Sequence, residues 1–163
     1  SIVTHFLNAM SKEKTEGSIS SFVLVDERLS VELILDGHHV PFTTASEVIR
    51  AIGNRVMLVT DAMAAAGGSD GTYAIGKLEV KVKDSVARLT SNNALAGSTL
   101  TMDQAFHNAI KNCGATIPQA VLMSATNPAK ALGLHDRGSI TVGKRADLLA
   151  YDLVTGKILT LNL

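Results

Sequence analysis

The chain has 163 residues, 46% apolar and 18% charged, which suits a domain with a well-buried core and argues against disorder. Fifteen basic and fifteen acidic residues cancel, so no electrostatic footprint for nucleic acid or an anionic membrane surface is present. The single cysteine, Cys113, excludes an internal disulfide, and no apolar run approaches the length of a membrane span.

The chain opens on Ser1-Ile2-Val3-Thr4-His5, without an initiator Met, and reads there as the middle of a strand, which suggests a fragment. Residues 12–18 are polar and loop-like, and residues 19–25 fit either a helix or a short strand. Val31-Glu32-Leu33-Ile34-Leu35 then reads as a strand running into Asp36-Gly37-His38-His39. A helix follows, with Thr44 and Glu47 as a capping box, Ala45, Val48, Ile49 and Ile52 on one face, and Gly53 as its stop. Val56-Met57-Leu58-Val59-Thr60 is a third apolar strand and leads directly to Asp61. Strand, helix and strand in so short a span predict a βαβ unit with a parallel pair.

Past Asp61 the texture changes. Gly67-Gly68-Ser69-Asp70-Gly71 reads as a flexible loop, residues 73–82 as a hairpin-like excursion, and residues 83–93 as polar and poorly periodic. Thr101 and Gln104 form a second capping pattern, before an apolar face of Met102, Ala105, Phe106, Ala109, Ile110 and Cys113 that stops at Gly114. Thr116, Pro118 and Gln119 start a further helix, and Thr126-Asn127-Pro128 starts a short third one ending at Gly133. The tail reads as two strands, one within residues 138–152 and one over residues 157–163. Two strands cannot bury themselves and need partners.

His5, His39 and Asp61 each follow a buried strand. In parallel sheets and barrels such ends share one rim, where catalytic groups converge. Two imidazoles and a carboxylate suit a divalent metal such as Zn²⁺, and equally an acid–base pair. His38 reads as a turn residue after Gly37, His107 as a solvated surface residue, and Cys113 as an inert core thiol. No phosphate-loop or dinucleotide fingerprint is present, and neither Ser98 nor Ser124 lies in a nucleophile elbow.

Four motifs occur in a telling order: Thr4-His5-Phe6-Leu7-Asn8-Ala9-Met10, Asp36-Gly37-His38-His39-Val40, Leu58-Val59-Thr60-Asp61-Ala62-Met63, and Leu95-Ala96-Gly97-Ser98 ahead of Leu100-Thr101-Met102. With Asn127-Pro128-Ala129 and the stretch from Gly138 to Leu148, they resemble the C-terminal part of the N-acetylglucosamine-6-phosphate deacetylase family, within the amidohydrolase superfamily. That resemblance implies an α/β fold: the C-terminal portion of a (β/α)₈ barrel over residues 1–137, with strands six to eight ending in His5, His39 and Asp61. Residues 138–163 would be strands of a small β-sandwich. It further implies metal-dependent removal of the acetyl group from an amino-sugar phosphate, with His5 as a metal ligand and Asp61 as general base, then general acid to the leaving amine. Asn8, Ala9, His39, Leu95, Ala96 and Gly97 would hold the substrate. The implied cofactor is a divalent metal, zinc first, with iron or another divalent ion as alternatives. The implied setting is a cytoplasmic homodimer with a small-molecule substrate, whose loop at residues 12–17 is a candidate contact.

Two departures stand out. The family's phosphate-holding Arg is absent from Ser11-Lys12-Glu13-Lys14-Thr15-Glu16-Gly17, where Lys12 or Lys14 offers only a point charge. The family's metal-binding Glu and a second ligand His come from earlier strands, outside this sequence. The alternatives are an amidohydrolase acting on a cyclic amide, against which the Asn-Ala-Met and Leu-Ala-Gly-Ser motifs argue, and a non-catalytic half-barrel.

Overall fold

The computed structural model describes residues 1–10 and 17–161. The departing loop, with Lys12 and Lys14, lies outside the described residues. Three parallel strands form the centre: β1 (Ile2–Val3), β2 (Ser30–Leu33) and β3 (Val56–Leu58), in that order. Val3, Val31 and Val56 share one register level, so the three C-terminal ends face one rim. Val31, Leu33, Val56, Met57 and Leu58 are all buried, as apolar runs without polar alternation require.

The undecided segment is a helix, α1 (Ile19–Val25), because Ser18 caps it by accepting a hydrogen bond from the Ser21 amide at 3.2 Å. Arg55 closes its other end, donating to the carbonyls of Val23, Leu24, Asp26 and Leu29 at 2.6–3.2 Å. Helix α2 (Phe42–Ile52) links β2 to β3 and buries Ala45, Val48, Ile49 and Ile52, the predicted stripe. Each such aliphatic burial contributes about 1.5–3 kcal/mol. Its start differs from the expected one. Pro41 is the cap, the Ala45 amide bonds to the Pro41 carbonyl at 2.9 Å, and Thr44 already lies inside the helix. Proline's fixed φ launches the helix without a side-chain cap.

Residues 62–98 leave the rim and return to it. They build an antiparallel sheet of β4 (Gly71–Ile75), β5 (Leu78–Lys83) and β6 (Val86–Leu89) around a small core of Ala65, Val80, Val82, Ala87 and Ala96. β6 falls in the stretch read as polar and poorly periodic. Its inward residue is Ala87, too small to give an alternation signal. The glycine loop before β4 is tied down: the Tyr73 hydroxyl donates to the Ser69 carbonyl at 2.6 Å, and Asp70 accepts from the amides of Asp84 and Ser85.

Helix α3 (Met102–Lys111) packs Ala105, Phe106 and Ala109 into the main core, while Met102 is 40% exposed. The expected Thr101–Gln104 box does not form, because Gln104 reaches forward to Asn108 at 2.9 Å. At α4 (Ile117–Val121) the Thr116–Gln119 box is complete. Instead of a separate third helix, a π-helical stretch (Leu122–Thr126) joins α4 to α5 (Asn127–Ala131). Pro128 lacks the N–H that an α-register would use, and the wider π-turn absorbs the mismatch.

The tail strands β7 (Leu148–Tyr151) and β8 (Ile158–Leu161) pair antiparallel. Tyr151 and Ile158 pack on the main core, with Tyr151 edge-on to Phe106 at a centroid distance of 5.4 Å. His107, expected to be solvated, is half-buried and bonds through Nε2 to the Gly156 carbonyl, tying α3 to the β7–β8 turn. No helix among the described residues is long and apolar enough to cross a membrane.

Candidate active site

Asp36 and Asp61 each lie five residues beyond the register-matched Val31 and Val56, so the two acids occupy equivalent places on neighbouring strands. They are used differently. Asp61 is exposed at a left-handed φ of 49°, its side chain free of hydrogen bonds to other described residues. Asp36 turns inward, with a side chain 13% exposed. Its Oδ1 accepts from the amides of His38 and His39 at 2.8 and 2.9 Å, and its Oδ2 meets Nδ1 of His39 at 2.6 Å. Burial pushes the Asp36 carboxyl up, but the bonds from the His39 ring and from the two amides outweigh it and hold the group below its usual value.

His39 is 5% exposed and Asp36 is its hydrogen-bond partner on the protein. His38 points outward, as its place in the turn suggests. Gly37 makes the turn possible: its φ is 80°, and a Cβ there would meet the Phe42 ring at 2.7 Å. Behind the turn, the buried Asn108 of α3 donates to the Leu35 carbonyl at 2.7 Å, satisfying a carbonyl just beyond the end of β2.

The end of β1 is built otherwise. His5, Leu7 and Ala9 all take left-handed backbone, at φ of 33°, 69° and 52°. Such residues cost about 1–2 kcal/mol each and concentrate at functional sites. The Phe6 amide anchors the segment on the Glu32 carbonyl at 2.7 Å, and Phe6 itself is fully buried. Asn8 is half-buried, its amide on the His5 carbonyl, and Ala9 is exposed. His5 Nδ1 is buried with no hydrogen-bond partner among the described residues.

Leu95, Ala96 and Gly97 run from β6 toward Asp61, with Leu95 bridging Arg88 and only Gly97 of the three shown beside Asp61. Ala96 bonds its amide to the Ala87 carbonyl of β6, and Ala62 bridges Ser98 in parallel fashion. The Ser98 amide donates to the Asp61 carbonyl at 2.7 Å, and the Met63 amide donates to the Ser98 carbonyl at 2.9 Å. Gly97, at φ 61°, lies so close that a Cβ would stand 3.1 Å from the Asp61 carbonyl oxygen. Buried Ser98 completes the clasp: its hydroxyl donates to the Thr60 carbonyl and accepts from the Leu100 amide.

The structure thus places Gly97 and Ser98 against Asp61 and Asn8 on the His5 carbonyl, while Leu95 and Ala96 bond to β6. His5, His39 and Asp61 make no direct bond with one another. Asp36 and Ser98 lie within the sequence motifs but carry no site role there, and Asn108 is in none of them. Asp36 had a signal in its spacing of three from His39, whereas Ser98 and Asn108 are revealed only by burial. Cys113 is the expected core thiol, 4% exposed and pushed up to about 11 by burial.

The orphaned, buried Nδ1 of His5 is an atom that a divalent metal could take. Among the described residues no group of three His, Cys, Asp or Glu side chains could hold the ion. The His5 end fits as one member of a ligand set and not as a whole one. A cleft of about 360 Å³ opens beside Asp36 and His38, toward Thr99, Gln104 and Asn108. A larger one, of about 540 Å³, lies at the opposite strand ends by Ser30, Arg55 and Asn127, away from these groups.

The amidohydrolase family model matches residues 16–162. The chain is 42% identical over 130 residues to a provisionally named N-acetylgalactosamine-6-phosphate deacetylase of Escherichia coli K12, covering 79% of this chain and 77% of that protein. It is 43% identical over 121 residues to the N-acetylglucosamine-6-phosphate deacetylase of Vibrio furnissii, covering 74% of this chain but only 30% of that enzyme. A Mycobacterium smegmatis N-acetyl-D-glucosamine-6-phosphate deacetylase variant, solved in complex with N-acetyl-D-glucosamine-6-phosphate, superposes with a TM-score of 0.87 at 37% identity. That match covers 94% of this chain and 42% of the solved one.

Proposed function

Because this chain belongs to the amidohydrolase family, in which dependence on a divalent metal is general, we propose that it carries the acid–base and substrate-holding half of an N-acetylglucosamine-6-phosphate deacetylase site. The observation that carries the reading is the clasp at Asp61. An exposed carboxylate at a parallel strand end is held through its own carbonyl against Gly97 and Ser98. In this reading β1, β2 and β3 are barrel strands six, seven and eight, residues 1–137 belong to the barrel, and residues 138–163 to a β-sandwich. The consecutive parallel order of β1 to β3, and a β7–β8 pair leaving Leu149 and Leu159 exposed, support it. A cytoplasmic homodimer is the setting carried over from the family resemblance.

Asp61 takes a proton from the attacking water and returns it to the amine nitrogen, which is a poor leaving group until protonated. His39 fixes the sugar, and the backbone around Asn8, Ala9, Leu95, Ala96 and Gly97 lines the rest of the substrate. His5 is the ring that would hold a divalent ion, zinc first, with further ligands from outside the described residues. When bound, such an ion polarises the amide carbonyl and makes water more acidic.

The test is acetate release from N-acetylglucosamine 6-phosphate with added Zn²⁺. It would use the chain joined to the N-terminal part of the Vibrio furnissii relative. Release is expected, and no release by a folded, metal-loaded protein overturns the reading. The E. coli K12 relative favours N-acetylgalactosamine 6-phosphate as a second substrate, and a kcat/KM preference for that epimer would replace the first.

A further inference from the structure

Ser98 makes two kinds of bond at the Asp61 end, and they differ in what they require. Its main chain would bind there whatever the side chain: the amide donates to the Asp61 carbonyl at 2.7 Å, and the carbonyl accepts from the Met63 amide at 2.9 Å. The other two bonds need a hydroxyl. It donates to the Thr60 carbonyl and accepts from the Leu100 amide at 3.0 Å. Ser98 is 2% exposed and its hydroxyl is engaged in both directions, so this oxygen is not available to attack a substrate.

The two carbonyls that Ser98 holds belong to the two rigid peptide planes flanking the Asp61 Cα. The plane before it carries the Thr60 carbonyl and sets φ. The plane after it carries the carbonyl of Asp61 itself and sets ψ. Ser98 holds the first through its hydroxyl and the second through its amide. Asp61 stands at a φ of 49°, a left-handed value that an L-residue other than glycine keeps only where its surroundings impose it. With both planes held, the direction of the Cα–Cβ bond is held too. The carboxylate is thereby aimed with no hydrogen bond from its oxygens to another described residue, which leaves them open for proton transfer.

We infer that Ser98 is a positioning residue for the general acid–base: by pinning the Thr60–Asp61 peptide, its hydroxyl keeps Asp61 in the left-handed conformation that sets where the carboxylate stands. The catalytic consequence rests on the proposed deacetylase reading, and the hold on the backbone does not.

Ser98→Ala removes the hydroxyl and keeps both main-chain bonds. In the intact chain, the backbone carbon-13 shifts of Asp61 should report a left-handed residue in the wild type and move toward the ordinary regions in the variant. Unmoved shifts overturn the inference. In the protein completed at its N-terminal side, Ser98→Ala should lower kcat for N-acetylglucosamine 6-phosphate by about 10–100-fold, as a misaimed catalytic group does, and change KM by less than about threefold. An unchanged kcat, or a loss confined to KM, overturns it. Because Ser98 acts through Asp61, the same substitution in an Asp61→Asn background should lower kcat further by less than about threefold. A loss of equal size in both backgrounds overturns it as well. Should Ser98→Ala not fold, Ser98→Cys, close in size but a weak donor, carries the same comparisons. Undiminished turnover by Asp61→Asn, with Asp61 shifts that Ser98→Ala still moves, would overturn the acid–base reading and leave the hold on the backbone standing.

Discussion

The ends of β1 and β2 each present a histidine at the same rim, yet they are built on opposite principles. At β2, His39 is buried, its ring nitrogen is bonded, and its turn is fixed by Asp36, Gly37 and Asn108. At β1, His5 sits in a segment with three left-handed non-glycine residues, and its buried Nδ1 has no partner among the described residues. The β2 end is satisfied by its own chain. The β1 end retains backbone strain and a buried ring nitrogen unbonded among the described residues, the pattern expected where a further group completes the site.

Removing each ring should separate the two ends. His39→Ala leaves the Asp36 carboxylate largely buried without its charged or polar neighbour, and should destabilise the protein by about 2–4 kcal/mol in urea unfolding. Gly37→Ala, which places a Cβ against the Phe42 ring at a positive φ, should cost about 2–3 kcal/mol by the same assay.

Asp36→Asn should cost about 1 kcal/mol at neutral pH and alter the acid limb of stability. Because the folded-state pKa of Asp36 is depressed, its stabilisation is present above the ordinary carboxylate range and is lost as pH falls through the folded value. The variant should therefore lose less Tm than the wild type on acidification, and an equal loss would break the assignment. His5→Ala should have the smallest effect, within about 0.5 kcal/mol of the wild type without metal, because no bond to another described residue is removed. A loss of several kcal/mol there would show that the β1 end is as self-contained as the β2 end.

Much of this was legible in the sequence for a physical reason. Buried parallel strands are apolar throughout, so Val31 to Leu35 and Val56 to Thr60 announce themselves, and the ionisable residues at their ends stand out. The α2 stripe was equally plain, but its first residue was not, because Pro41 starts the helix by geometry and leaves the Thr44–Glu47 pattern as a decoy. Strand β6 was hidden because its inward residue is alanine. Long-range bonds were illegible: nothing local says that Ser98 meets Thr60, that His107 meets Gly156, or that Asn108 reaches Leu35 across 73 positions. The pairing of Asp36 with His39 could have been found, since a carboxylate three residues before a histidine across a glycine turn is a local pattern.

The most direct measurement concerns Asp61, whose exposed side chain makes no bond to another described residue that a substitution would break. Acetate release from N-acetylglucosamine 6-phosphate should be compared for Asp61 and Asp61→Asn in the protein completed at its N-terminal side. The account predicts a loss of kcat of about 10²–10⁴-fold with an unchanged Tm, as expected for a removed general acid–base. Undiminished acetate release by Asp61→Asn would contradict it.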